Sequence, residues 1–146
     1  MVFKYEEKYL NSDCMLYRDI LEYSTKPNQK QDITKDVQDI IAKYGVNEGI
    51  CSIFIKATTA AIMINEDDKM LMADIEKLLN QLAPKDKLYQ HPENAPSHIK
   101  AIMFNNNLNV PISEGKLLLG IWQSIMLWEF DTQERQRTIV VTMIGG

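Results

Sequence analysis

His91 and His98 are the only imidazoles in the chain, and both fall in one stretch that also holds Asn94 and Lys100. An imidazole titrates near neutrality and offers nitrogen lone pairs, so this stretch has the chemistry for proton transfer or metal ligation. A plain alternative is one surface histidine beside one hydrogen-bonded structural histidine. Glu66 is the second candidate, at the end of an apolar run and just before a helical pattern. A carboxylate there can meet a metal or a substrate group, or it can serve as a helix-start acid favoured by the macrodipole. The working expectation is that His91, His98 and Glu66 converge in one concave site, as the acid–base groups and as ligands of any metal.

The chain that must position them has 146 residues, 45% of them hydrophobic and 25% charged, which is ordinary globular composition for one domain spanning 1–146. Its net charge of −4 and the lack of any block of like charges disfavour nucleic-acid binding. The start reaches carboxylates before any apolar segment, and no apolar run is long enough to span a bilayer, so the sequence reads as cytoplasmic with no membrane partner. Cys14 and Cys51 are too far apart for a Cys-x-x-Cys signature and read as two buried, reduced thiols.

Loose alternation over 2–10 and 15–23 suggests two antiparallel strands joined near Asn11, Ser12 and Asp13. Residues 27–31 form a polar connection. Thr34 then reads as the cap of a helix with Val37, Ile40, Ile41 and Tyr44 at helical spacing, and Gly45 as its left-handed stop. Residues 50–64 are β-branched and apolar, as one long strand or two with a bend. If extended, this run places Ala57 and Thr59 on one face, with Lys56 and Thr58 on the other. An acidic residue of 65–68 caps a second helix with a stripe of Leu71, Ile75, Leu78, Leu79 and Leu82, ended by Pro84. A short helix follows around 97–104, then strand-like stretches at 116–130 and 138–144 joined by a turn at 131–136. The pattern predicts a compact α+β domain of mainly antiparallel strands with two main helices, and no dinucleotide or phosphate-loop fingerprint accompanies it.

Several short motifs occur in a fixed order: Thr58-Thr59-Ala60-Ala61, then Asn65-Glu66, Asp74, Tyr89-x-His91, Asn94, and Ser97-His98-Ile99-Lys100-Ala101. Leu119-Gly120-Ile121-Trp122-Gln123-Ser124-Ile125 follows, with Glu129, Asp131, Arg135 and Arg137 completing the series. Taken together over roughly 32–146, they resemble the YjbQ-like family, also called the secondary thiamine-phosphate synthase family. The sequence departs from that pattern at Ala57, where the family carries a histidine, at the short connection from His91 to Asn94, and at Asn105 and Ile121 in place of Gly and Thr.

The resemblance implies an α+β domain assembled as a homotrimer, with an activity like that of thiamine-phosphate synthase. That reaction joins a pyrimidine diphosphate to a thiazole phosphate and releases diphosphate with a divalent metal, here magnesium or zinc. On this reading Thr58, Thr59 and Asn94 hydrogen-bond a small phosphorylated molecule. Lys100, Arg135 and Arg137 hold its charge, and Gln123 reads a ring edge beside Trp122. Two alternatives stand beside it. One is a non-catalytic trimeric relative with a binding role, favoured by Ala57; the other is a metal-dependent hydrolase of a phosphorylated metabolite.

Overall fold

The structure, a computed structural model, describes residues 14–146. The strand expected over 2–10 and its turn at 11–13 lie outside the described residues. In chain order the elements are β1 (Met15–Thr25), β2 (Lys30–Asp32), α1 (Thr34–Tyr44), β3 (Gly49–Ile55), β4 (Ala60–Asn65), α2 (Lys69–Leu82), α3 (Ala95–Ile102), β5 (Asn107–Ser113), β6 (Lys116–Leu117), β7 (Ser124–Glu129) and β8 (Arg135–Gly145). This is the α+β architecture that the sequence predicts, with every strand pair antiparallel. Among the described residues no helix is long and apolar enough to cross a membrane.

The strands form two sheets, a five-stranded one in the order β1-β8-β3-β5-β6 and a three-stranded one in the order β2-β7-β4. Between them lies the main core, where Ile53 and Ile55 of β3 and Ile139, Val141 and Met143 of β8 meet Ile62, Ile125 and Leu127 of the small sheet. Helix α1 adds Val37, Ile40 and Ile41 to the same core. On the far side of the small sheet a second cluster joins Met63, Met126 and Trp128 to Met72 and Leu79 of α2, with Phe104 and Phe130 beside them. Helix α2 therefore covers one face of the small sheet, and the large sheet together with α1 covers the other.

Local signals hold well. Gly45 adopts φ 65° at the end of α1, the left-handed stop that a residue without Cβ takes at no steric cost. Asp68 caps α2 by accepting the N–H of Leu71. Thr34, by contrast, is not the cap of α1. It is the first helical residue, its N–H donates to Asp32 Oδ1, and its hydroxyl accepts the N–H of Ile125, tying the helix start to β7.

Other expectations need correction. Residues 50–64 take the two-strand form of the expectation, but the strands lie in different sheets and the 56–59 link is irregular, so the alternation inferred for Lys56 to Thr59 does not apply. Residues 116–130 are not one strand. Gly120 and Gln123 close a turn, in which the Gly120 N–H donates to Gln123 Oε1 and the Gln123 N–H to the Gly120 carbonyl, leaving Trp122 exposed. Helix α2 buries Met72 and Leu79, while Leu78 and Leu82 of the expected stripe face solvent, because the helix meets the small sheet along a neighbouring line of positions. Cys51 is buried, and burial pushes its thiol up to about 12, whereas Cys14 is exposed.

Candidate active site

The chain passes between the two sheets three times at one place: from β1 to β2, from β3 to β4 and from β7 to β8. These crossings are stitched by backbone bonds, with the Glu129 N–H donating to the Gln29 carbonyl and the Phe130 N–H to the Thr59 carbonyl. Buried polar side chains at the crossings need partners of their own, because an unpaired one there costs its full desolvation. They find them in one another. Arg137 of β8 donates through Nε and Nη2 to the two oxygens of Glu129 at 2.7 and 2.6 Å, and Thr25 of β1 donates to the same carboxylate at 2.6 Å. Nη2 also donates to Thr59 Oγ1 at 2.7 Å, and Thr59 donates in turn to Asp131 at 3.2 Å.

Asp131 links this buried network to the histidine segment. Its carboxylate accepts from the Thr132 N–H, from Arg135 Nε at 2.7 Å and from Asn94 Nδ2 at 3.3 Å. Burial alone would raise its pKa, but the bonds from Thr132, Arg135, Asn94 and Thr59 outweigh it and hold the carboxyl at about 2. Asn94 Oδ1 lies 3.0 Å from His91 Nε2, and the His91 and His98 rings meet edge to face with centroids 5.1 Å apart. His91 is exposed and His98 half-buried.

A cleft of about 260 Å³ opens beside this segment, lined by Tyr89, Asn94, Ser97, Lys100 and Asp131 and by the lysines Lys85 and Lys87. Lys100 is only 7% exposed and donates to Asn80 Oδ1 at 2.6 Å. Burial, reinforced by Lys85 and Lys30 and opposed by Glu76, lowers its pKa. A lysine in that state gains from any anion that enters the cleft.

The structure thus links His91, Asn94, Thr59, Arg135 and Arg137 through one hydrogen-bond network centred on Asp131 and sets His98 against His91, but of these predicted residues only Asn94 lines the cleft, together with Lys100. Thr58 is exposed on the β3–β4 crossing. Glu66 and Gln123 lie elsewhere, in a shallow depression with Ile64, Asn65 and Trp122, and Gln123 Oε1 is occupied by the Gly120 N–H. Arg137 and Arg135 each have a carboxylate partner already, Glu129 and Asp131, so the cleft's cations are Lys85, Lys87 and Lys100. Among the described residues no three His, Cys, Asp or Glu side chains come together as a metal cage. Sequence reasoning counted Glu129 and Asp131 among the family-like motif residues but gave them no chemical role. A further signal was the opposite charges on either side of the β7–β8 link.

A family model described as UPF0047 protein YjbQ-like matches residues 19–146. A UPF0047 protein from Methanothermobacter thermautotrophicus is 38% identical over 117 residues, covering 78% of this chain and 81% of that protein. The UPF0047 protein YjbQ of Salmonella typhimurium is 30% identical, covering 90% and 99%. Among solved structures, a YbjQ-like protein of unknown function from Sulfolobus solfataricus P2 superposes with a TM-score of 0.86 at 34% identity, over 91% of this chain and 99% of that one.

Proposed function

Because this chain belongs to the UPF0047 YjbQ-like family, we propose that it is a cytoplasmic small-molecule transferase of the secondary thiamine-phosphate synthase kind, joining a pyrimidine diphosphate to a thiazole phosphate. The observation that carries this reading is the cleft itself: three lysines, Lys85, Lys87 and Lys100, line it with Asn94, Ser97 and Tyr89, and Asn94 bonds to one of a histidine pair. Transfer breaks the bond to diphosphate as the bond to the thiazole forms, so negative charge gathers on the departing group. Fixed ammonium groups aimed at that charge stabilise it most where water is excluded. Lys100 is the best placed, because burial and the neighbouring lysines disfavour its charged form and an arriving anion offsets that cost. His91, exposed and bonded to the cleft residue Asn94, gives a proton to an oxygen of the departing diphosphate, which leaves carrying it.

A volume of about 260 Å³ suits one small phosphorylated molecule rather than two. The second substrate then sits at the open side, which a neighbouring subunit can close. A homotrimer belongs to this proposal, supported by an apolar surface on the outer face of the large sheet. Register places Leu16, Ile144 and Ile50 in one row, with Ile20 and Phe54 flanking Val140 in another, and these five large side chains are 42–56% exposed.

The donor set bears unevenly on the metal. Two imidazoles suit zinc, and magnesium prefers oxygen ligands. Asp131, the carboxylate tied to His91 through Asn94, is already engaged by four donors, and Glu66 lies in the other depression. The residues do not form a magnesium cage, and no step is assigned to one. A zinc ion, if held, would take His91 and His98.

One observation favours the non-catalytic reading: Ala57 packs against the main core and supplies no imidazole beside Thr59. The deciding experiment incubates the protein with pyrimidine diphosphate and thiazole phosphate and follows diphosphate release, beside Lys85→Gln/Lys87→Gln and Lys100→Met. Turnover that weakens in the lysine variants supports the transferase. Substrate binding without turnover would support the binding protein.

A further inference from the structure

We infer that Asp131 is a positioning residue for His91: through Asn94 it fixes the imidazole with its proton on Nε2 and leaves Nδ1 as the atom free to take a proton or ligate a cation. The inference deepens the proposed use of the histidine segment, but its basis is the direction of each hydrogen bond. A guanidinium can only donate. Arg137 Nη2 donates to Thr59 Oγ1, so that hydroxyl turns its own hydrogen to its other polar neighbour, Asp131 Oδ2, at 3.2 Å. Asp131 also receives the Thr132 N–H and Arg135 Nε, and an ionised carboxylate only accepts. Asn94 must therefore turn its NH₂ toward Asp131 and its carbonyl oxygen toward His91. That oxygen can only accept, so His91 Nε2 carries the hydrogen. The polarity is set at the buried Arg137 and Asp131 and ends at the exposed ring.

A second observation agrees. Asn94 occupies the N-cap position of α3, where an Asn side chain commonly accepts a helix N–H, yet it makes no such bond. Its carbonyl oxygen and amide nitrogen are spent instead on His91 and Asp131, while its backbone carbonyl accepts from Ser97 and His98. The buried network thus reaches a surface histidine through a side chain that gives up its local role, as is common where a ring's tautomer matters.

Long-range ¹H–¹⁵N correlation on labelled protein, above the pH at which the histidines lose their charge, reads the tautomer directly. Wild type should show His91 with a pyrrole-like Nε2 and a pyridine-like Nδ1, and added zinc should perturb Nδ1. In Asp131→Asn and Asn94→Ala both His91 signals should move toward the mixed values of a free imidazole, with His98 as internal reference. Asn94→Ala removes only a half-buried bridge, so it decides the matter if Asp131→Asn fails to fold. Identical His91 signals in wild type and Asn94→Ala, or a proton on Nδ1 in wild type, would overturn the inference. Diphosphate release by the same samples is a separate readout: a locked tautomer without turnover sinks the transferase reading and leaves the positioning intact.

Discussion

Glu129 and Arg137 face each other across the gap between the two sheets, joined by two hydrogen bonds with side chains 0% and 9% exposed. Glu129 also accepts from Thr25 and from the Asp131 N–H, and Arg137 also donates to Thr59. Removing one partner leaves the other charged and buried. Arg137→Met or Glu129→Leu should each cost roughly 3–5 kcal/mol of unfolding free energy, whereas the double replacement should cost clearly less than their sum. Urea denaturation of the three variants measures this. Single variants within about 1 kcal/mol of wild type would show that the network does not bind the sheets together.

The same network sets an acid limit on stability. Asp131 has a folded pKa of about 2, below its ordinary 3.8, so it contributes stability that is fully present above the unfolded value and is lost as pH falls through the folded one. The loss attributable to this group runs from about pH 4 down to about pH 2. Asp131→Asn should be less stable than wild type at neutral pH, with the gap narrowing across that window. Thermal melts at pH 7, 4 and 3 test it, and a constant gap would assign the acid limb to other carboxylates.

Elements set by local chemistry were legible in the sequence, as Gly45 and Asp68 show, because a left-handed stop or an N-cap needs only its immediate neighbours. The division of residues 50–64 between two sheets was not. Apolar periodicity reports that a residue is buried, and Ile53 and Ile62 are equally buried in opposite sheets. Likewise the histidine pair was visible as a cluster in sequence, yet Asp131 could be assigned to it only once the β7–β8 crossing placed it beside Asn94. Arg135 and Arg137 read as phosphate ligands by type. Their carboxylate partners, Asp131 four residues from Arg135 and Glu129 eight from Arg137, meet them only because the β7–β8 link folds back between the two sheets, which residue type alone does not report.

Assembly is tested at the outer sheet face. Phe54 and Ile144 are exposed in the row-and-column apolar patch of β1, β3 and β8, so Phe54→Glu with Ile144→Glu should convert a trimer to monomer while leaving the isolated fold within about 1 kcal/mol of its stability. Light scattering across a wide concentration range gives the mass directly. A wild-type monomer at every concentration would count against a trimer altogether, and a trimer that persists in the double variant would move the interface elsewhere, with exposed Ile121 and Trp122 as the next candidates.

Ala57→His restores the imidazole that the family carries next to Thr58-Thr59-Ala60-Ala61, and it should raise any weak transferase turnover or zinc affinity above wild type. Ala57 lies on the irregular link between β3 and β4, two residues from Thr59, which belongs to the Asp131 network. A new ring there starts close to the group that orients His91. A positioned acid or base contributes about 10²- to 10⁴-fold, so even imperfect placement should be measurable. The opposing term is steric: Ala57 is half-buried and packs against the main core, and forcing a ring into that space costs roughly 1–3 kcal/mol. Backbone bonds hold the link at Lys56 and Thr59, so only the segment at Ala57 and Thr58 between them can shift to turn the ring outward. Melting temperature and diphosphate release should be measured on the same preparation. A folded variant with unchanged turnover and unchanged zinc binding would show that the missing histidine does not limit this site, and the chain would then be read as a binding protein on the family's fold.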